Sequence, residues 1–159
     1  MLRCIAIGVA AGIFGSSPLA VANADPVAPQ PNASCTAEVK DALTLPAGDT
    51  APIACDGTSW QAVADPYPMS DEWLSTGPVM TLHGQGRRNP MLESGRWAAT
   101  PLTPESTCGA TQFAVVSGTP TLTPPKSDHG EPGQPLSLEV VPRLFTIELT
   151  GDCLWQRLP

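Results

Sequence analysis

Between Leu136 and Trp155 the side chains alternate in kind. Leu136, Leu138 and Val140 fall at every second position. Phe145, Ile147 and Leu149 do so again, with Thr146 and Glu148 between them. Successive side chains of a strand point to opposite faces, so this spacing gives two strands, each with one face on a core and one in water. An amphipathic helix needs its apolar residues three to four apart instead. Cys153 then offers a covalent tie and Trp155 a large apolar anchor.

The rest of the chain bears the same mark. It holds 19 Pro and 14 Gly in 159 residues, about a fifth of the total, where about 12% is usual. Proline fixes its own φ and carries no donor, so long helices are disfavoured and short strands joined by turns are favoured. Ala51–Cys55, Thr58–Val63, Val79–His83, Glu93–Thr100 and Thr111–Val116 read as further strands. Trp60 and Ala62 are expected on one face, as are Phe113 and Val115. Asp56-Gly57 marks a turn, Gly84 to Pro90 a loop, and 117–135 a long loop with five prolines. Ser34 to Thr44 is the best helix, with Ser34 as cap and Glu38 near the positive end of its dipole. Ser70 to Trp73 reads as one helical turn. The expected fold is mainly β: a small antiparallel sandwich or open barrel, with one short N-terminal helix and two disulfides.

Residues 1–24 have the form of a secretory signal peptide. Arg3 supplies the basic start, Cys4 to Phe14 an apolar run, and Ala22-Asn23-Ala24 a small-x-small cleavage site. The run is too short to span a bilayer, and no later stretch is long and apolar enough to do so. Residues 25–33 read as a Pro-rich linker, with Asn32-Ala33-Ser34 matching a glycosylation sequon. Residues 34–159 read as a single domain. The expected location is therefore extracellular or at the cell envelope. The formal charge is −7, and removing Arg3 with the leader makes it −8. So acidic a chain is repelled by phosphate backbones and anionic lipid, which argues against nucleic acid as a partner.

After cleavage four cysteines are left: Cys35, Cys55, Cys108 and Cys153. An even number in an exported chain implies two disulfides, with three pairings to choose from. Cys35–Cys55 with Cys108–Cys153 is favoured, because a local bridge closes the N-terminal unit. No two cysteines sit two residues apart, as zinc knuckles and thioredoxin-like sites need. No metal or cofactor is expected.

Few residues suggest chemistry. Gly84-Gln85-Gly86-Arg87-Arg88 sets two arginines in a Gly-rich turn beside His83 and is the weak candidate for ligand binding. Its spacing matches neither a P-loop nor a dinucleotide fingerprint. The arginines are expected to pair locally with Glu93, Asp71 or Glu72. Ser127-Asp128-His129 contains the residue types of a hydrolase triad, but neighbours in one loop cannot take up triad geometry, and a solvated turn is expected there. Asp71 and Glu72 are the acids to consider for a hydrolase. Trp60, Trp73, Trp97 and Trp155 are expected in the core rather than as a sugar platform.

The leader ending Ala22-Asn23-Ala24-Asp25-Pro26 resembles those of exported proteins from mycobacteria and related actinobacteria. Gly95-Arg96-Trp97, a cysteine strand and the closing Gly151-Asp152-Cys153-Leu154-Trp155 resemble a loose group of small, largely uncharacterised secreted proteins of those bacteria. The resemblance implies export and carries over no functional residue. The expected function is a secreted, non-catalytic protein binding a protein or glycan partner. The alternatives are a small secreted hydrolase with a site near His83 or Asp71 and Glu72, and an inhibitor presenting the 117–135 loop.

Overall fold

The computed structural model describes residues 28–66, 68–77, 79–118 and 121–159. The expected signal peptide lies outside the described residues. The strands in chain order are β1 (Leu43–Thr44), β2 (Ile53–Cys55), β3 (Trp60–Ala62), β4 (Glu72–Ser75), β5 (Met80–His83), β6 (Gly95–Pro101), β7 (Gly109–Ala114), β8 (Lys126–His129), β9 (Leu136–Val140), β10 (Leu144–Thr150) and β11 (Cys153–Arg157). They form a 7-stranded sheet in the order β3-β2-β1-β4-β11-β6-β9 and a 4-stranded sheet in the order β5-β10-β7-β8. The fold is mainly β, as the alternation requires.

From β4 onward nearly every connection changes sheet; the β7–β8 hairpin stays in one. Each crossing places the inner faces of consecutive strands against each other. One apolar cluster therefore draws on both sheets: Trp73, Trp97, Leu138, Val140 and Trp155 from the larger, Met80, Leu82, Ala110, Ile147 and Leu149 from the smaller. In β11 Trp155 stands opposite Trp73 on one side and Ala99 on the other. A buried indole N–H needs an acceptor. Trp155 donates to Ser75 Oγ at 2.8 Å, Trp97 to the Glu93 carbonyl at 3.0 Å and Trp73 to the Ser70 carbonyl at 3.3 Å. All four tryptophans, Trp60 included, are buried.

Both expected disulfides are present. Cys35–Cys55 ties the N-terminal segment to β2, and Cys108–Cys153 ties the start of β7 to the start of β11, linking the two sheets.

Several local expectations are corrected. In place of a helix over Ser34 to Thr44 there is a single 3-10 turn, Ala37–Val39. Asp41 has φ 71°, outside helical space. The Asp41 amide donates to the Cys55 carbonyl and the Cys55 amide to the Ala42 carbonyl, at 2.9 and 3.0 Å. Pairing with β2 thus takes the donors a helix would use. Ser70 to Trp73 is no helical turn either, since β4 begins at Glu72. The β1–β4 pair is parallel, so the large sheet is not wholly antiparallel. The 117–135 segment contains β8. Part of the linker is pinned: the Asn32 amide donates to the Trp60 carbonyl and the Trp60 amide to the Ala33 carbonyl.

In β7 the buried residues are Gly109, Ala110 and Gln112, so Phe113, next to Gln112, lies on the other face. One aromatic placement is corrected. In β10 the register shifts between Leu144 and Thr146. This bulge puts Leu144 in the core and leaves Phe145 half-buried outside it.

Gln112 has an unusual task. Its Oε1 accepts the Val141 amide at 3.0 Å, and its Nε2 donates to the Glu139 carbonyl at 3.1 Å. The side-chain amide stands beside β9 where another strand would pair. Replacing it with Leu (Gln112→Leu) keeps the bulk and leaves two backbone groups without partners, which is expected to cost about 1–3 kcal/mol in urea unfolding. The disulfides close loops with sequence separations of 20 and 45 residues. In the loop-entropy model the Cys35→Ser/Cys55→Ser variant loses about 3 kcal/mol and Cys108→Ser/Cys153→Ser about 4 kcal/mol. Denaturant midpoints of the two variants check that order.

Candidate functional site

The outward face of the small sheet carries the candidate residues. His83, Thr146 and Phe113 stand side by side across β5, β10 and β7. Their neighbours Leu82, Ile147 and Gln112 point inward and are buried, so alternation sends this row outward. The β10 bulge adds Phe145 to the same corner.

The 84–89 loop leaves the end of β5 and folds onto the start of β10. The Gly86 amide donates to the Leu144 carbonyl at 2.7 Å, and the Arg87 amide to the Gly84 carbonyl at 3.1 Å. The glycines allow close approach. A Cβ on Gly86 would lie 2.5 Å from the Arg143 carbonyl oxygen, and one on Gly84 2.7 Å from the Leu144 side chain. Arg143 occupies the turn between β9 and β10 with φ 55°. Loop and turn are therefore pressed together, and three arginines, Arg87, Arg88 and Arg143, belong to one corner.

The Arg87 guanidinium carbon lies 5.0 Å from the centroid of the Phe145 ring. A cation over a ring face is attracted to its quadrupole, and this contact gives Arg87 a defined direction. Arg88 is exposed. The expected pairing of these arginines with local acids is not found. Glu93 and Asp71 instead bind Arg157, at 2.9 and 3.5 Å, and Glu72 accepts from Gln156 at 3.2 Å. Arg157 Nη groups reach those acids because β11 runs between β4 and β6. Among the described residues Arg87, Arg88 and Arg143 enter no ion pair.

His83 is half-buried, and its Nδ1 is enclosed with no hydrogen-bond partner. Burial, then the nearby Arg87 charge, lower its pKa from the usual 6.5. The ring is thus held neutral at physiological pH.

The other candidates disperse. Ser127, Asp128 and His129 lie on β8 rather than in a turn, with alternate residues on opposite faces, so they cannot form a triad. Ser127 Oγ meets Thr111 Oγ1 at 3.0 Å, and Asp128 faces Lys126 at 3.6 Å. Among the described residues no three His, Cys, Asp or Glu side chains gather to hold a metal ion. A surface cleft between 101–104 and 132–134 is lined by Pro, Leu, Thr, Gly and Gln, none of them titratable. Comparison with protein-family models, with curated proteins and with solved structures finds no match for this chain.

Sequence reading singled out His83, Arg87 and Arg88 and not Arg143 or Phe145, which the structure places beside them. Arg143 is some fifty residues away in sequence, and only strand pairing brings it near. Phe145 was assigned to the core because a bulge leaves no mark in a period-2 pattern.

A pH dependence follows. An imidazole whose pKa is lowered by folding resists protonation in the native state. Its contribution to stability is complete above pH 6.5 and declines as pH falls through the lower native value. His83→Gln is expected to flatten that decline in thermal melts between about pH 7 and pH 5.

Proposed function

We propose that this chain is an exported, non-catalytic binding protein whose contact site is the His83, Arg87, Arg88, Arg143 and Phe145 corner. The observation that carries the reading is three arginines that have no acidic partner among the described residues, gathered from two segments, in a chain of formal charge −7 with eight Lys and Arg in all. Unpaired cations beside an aromatic ring suit an acidic group on a protein or glycan partner, since a guanidinium matches a carboxylate with two parallel hydrogen bonds. The surrounding negative charge repels long polyanions. The fitting ligand therefore presents an isolated acid group rather than a charged polymer.

Export is supported by the leader and by the two disulfides, which persist in oxidising compartments. The likeness to secreted actinobacterial proteins agrees with a place in the envelope or medium. Among the described residues no helix is long and apolar enough to cross a membrane. The hydrolase alternative draws less support. Its acids Asp71 and Glu72 are held by Arg157 and Gln156, and the His83 Nδ1 has no hydrogen-bond partner to orient the ring.

The test is an NMR shift titration of the mature, oxidised protein with a uronic-acid disaccharide and with a short peptide bearing one carboxylate. Resonances of Arg87, Phe145 and His83 are expected to move. The Arg87→Ala/Arg88→Ala/Arg143→Ala variant is expected to lose about tenfold or more in affinity, as loss of charge-assisted hydrogen bonds implies. Shifts scattered over the surface, or a triple variant that binds as well as the parent, would remove the site.

A further inference from the structure

A sheet edge exposes unpaired backbone groups, and a stable monomer usually covers them. This fold has four edges: β3 and β9 in the large sheet, β5 and β8 in the small one. Three carry covers. Trp60 in β3 bonds Asn32 and Ala33. Glu139 and Val141, at β9, bond the Gln112 side chain. The His83 carbonyl at the end of β5 accepts the Met91 amide at 2.8 Å.

β8 is different. The Gly130 amide donates to the Cys108 carbonyl at 2.9 Å, next along the β7–β8 ladder. Antiparallel pairing alternates bonded and non-bonded pairs. The bonded pairs are thus Gly130 with Cys108, Asp128 with Ala110 and Lys126 with Gln112. Ser127 and His129 must turn their N–H and C=O groups away from β7. Both residues are exposed, and among the described residues no backbone partner meets them on that side.

The side chains of this edge select what can pair with it. Lys126 and Asp128 share one face, two residues apart. The two also pair with each other at 3.6 Å, and an apolar or singly charged strand would set no opposite charge across from at least one of them. A second copy of β8, running antiparallel about Ser127, sets Lys126 of each copy opposite Asp128 of the other, twice. Opposed unlike charges stabilise a strand pair and like charges destabilise it. Sliding by two residues would set two Asp128 carboxylates face to face, so charge also fixes the register. In the favoured register each Ser127 amide donates to the other copy's Ser127 carbonyl. Each His129 amide reaches the other copy's Pro125 carbonyl, a residue that has no N–H to leave over.

We infer that this chain forms a two-fold dimer through β8, joining the two small sheets into one continuous sheet. The occupant of the edge is a second copy, identified by the self-complementary Lys126–Asp128 pattern. So short an edge buries less than the ~1,200 Å² of a permanent complex, so the dimer is reversible and concentration-dependent. β5 lies at the opposite side of the small sheet from β8, so the acid-binding corners stay open at the two far ends of the dimer. The inference does not rest on what those corners bind.

Sedimentation equilibrium of the mature, oxidised protein up to about 1 mM tests it, since a weak pair is populated only near its dissociation constant. The parent is expected to show a monomer–dimer equilibrium. Ser127→Pro removes an outward N–H and no internal backbone bond, so the fold is retained, and dimerisation is expected to weaken about tenfold or more. Lys126→Asp alone weakens the dimer, Asp128→Lys alone does the same, and an equimolar mixture of these two variants pairs with each other. Circular dichroism and thermal melts of each variant guard against misfolding. A parent that stays monomeric, a Ser127→Pro dimer as tight as the parent's, or charge variants that fail to pair on mixing would each overturn the inference. So would an edge that takes up a foreign peptide and never its own copy.

Discussion

The Trp155 layer inside β11 is the interaction on which the remaining structure depends. β11 comes last in chain order among the described strands, yet it fills the gap between β4 and β6. Its indole meets Trp73 across one ladder and covers Ala99 across the other. Without it the large sheet would be two unconnected parts: β3, β2, β1 and β4 on one side, β6 and β9 on the other. The Ser75 hydroxyl accepts the Trp155 N–H and itself donates to the Gly151 carbonyl at 2.7 Å. Even the polar atoms of this layer thus serve to fix β11. Cys153 anchors the same strand covalently to the opposite sheet. At its far end Arg157 ends the apolar layer with two carboxylates, Glu93 and Asp71.

Much of this was legible in the sequence because it rests on composition and period. Leu136, Leu138 and Val140 announced β9, and Ile147 with Leu149 announced β10. The cysteine pairing followed from chain distance and the logic of a local bridge. What was hidden depended on partners far away in sequence. Ser34 to Thr44 has acceptable helical spacing, but a disulfide and hydrogen bonds to Cys55 impose another path. Tertiary pairing overrides a weak local preference. In β7 the buried residue beside Phe113 is polar. A pattern that counts apolar residues cannot foresee that Gln112 goes inside to meet β9.

The candidate site was half legible for the same reason. Gly84-Gln85-Gly86-Arg87-Arg88 stood out as a glycine-rich basic stretch. Its glycines proved to serve close packing on Leu144 and Arg143 rather than an anion cradle of backbone amides. The loop also gained a third arginine from the neighbouring turn. Acids that a sequence reader would assign to these cations are drawn off by Arg157. Competition among ion pairs is decided by sheet order, which no local window contains. The turn at Asp56 shows the opposite case. The Ser59 amide, then the Thr58 hydroxyl and amide, bind its carboxylate and bring its pKa down to about 2. There the sequence signal Asp56-Gly57 sufficed, because every partner lies within three residues.

The Gln112 amide has a mechanical meaning beyond its share of stability. Two sheets joined by apolar contact alone can slide, since such contacts have no direction. A pair of hydrogen bonds to the rim strand of the facing sheet has direction and a fixed length. Together with the sulfur link at Cys108, it gives the two layers a second fastening point, set apart along β7. Two fastenings resist rotation as well as translation, so the layers should move as one rigid plate under thermal agitation.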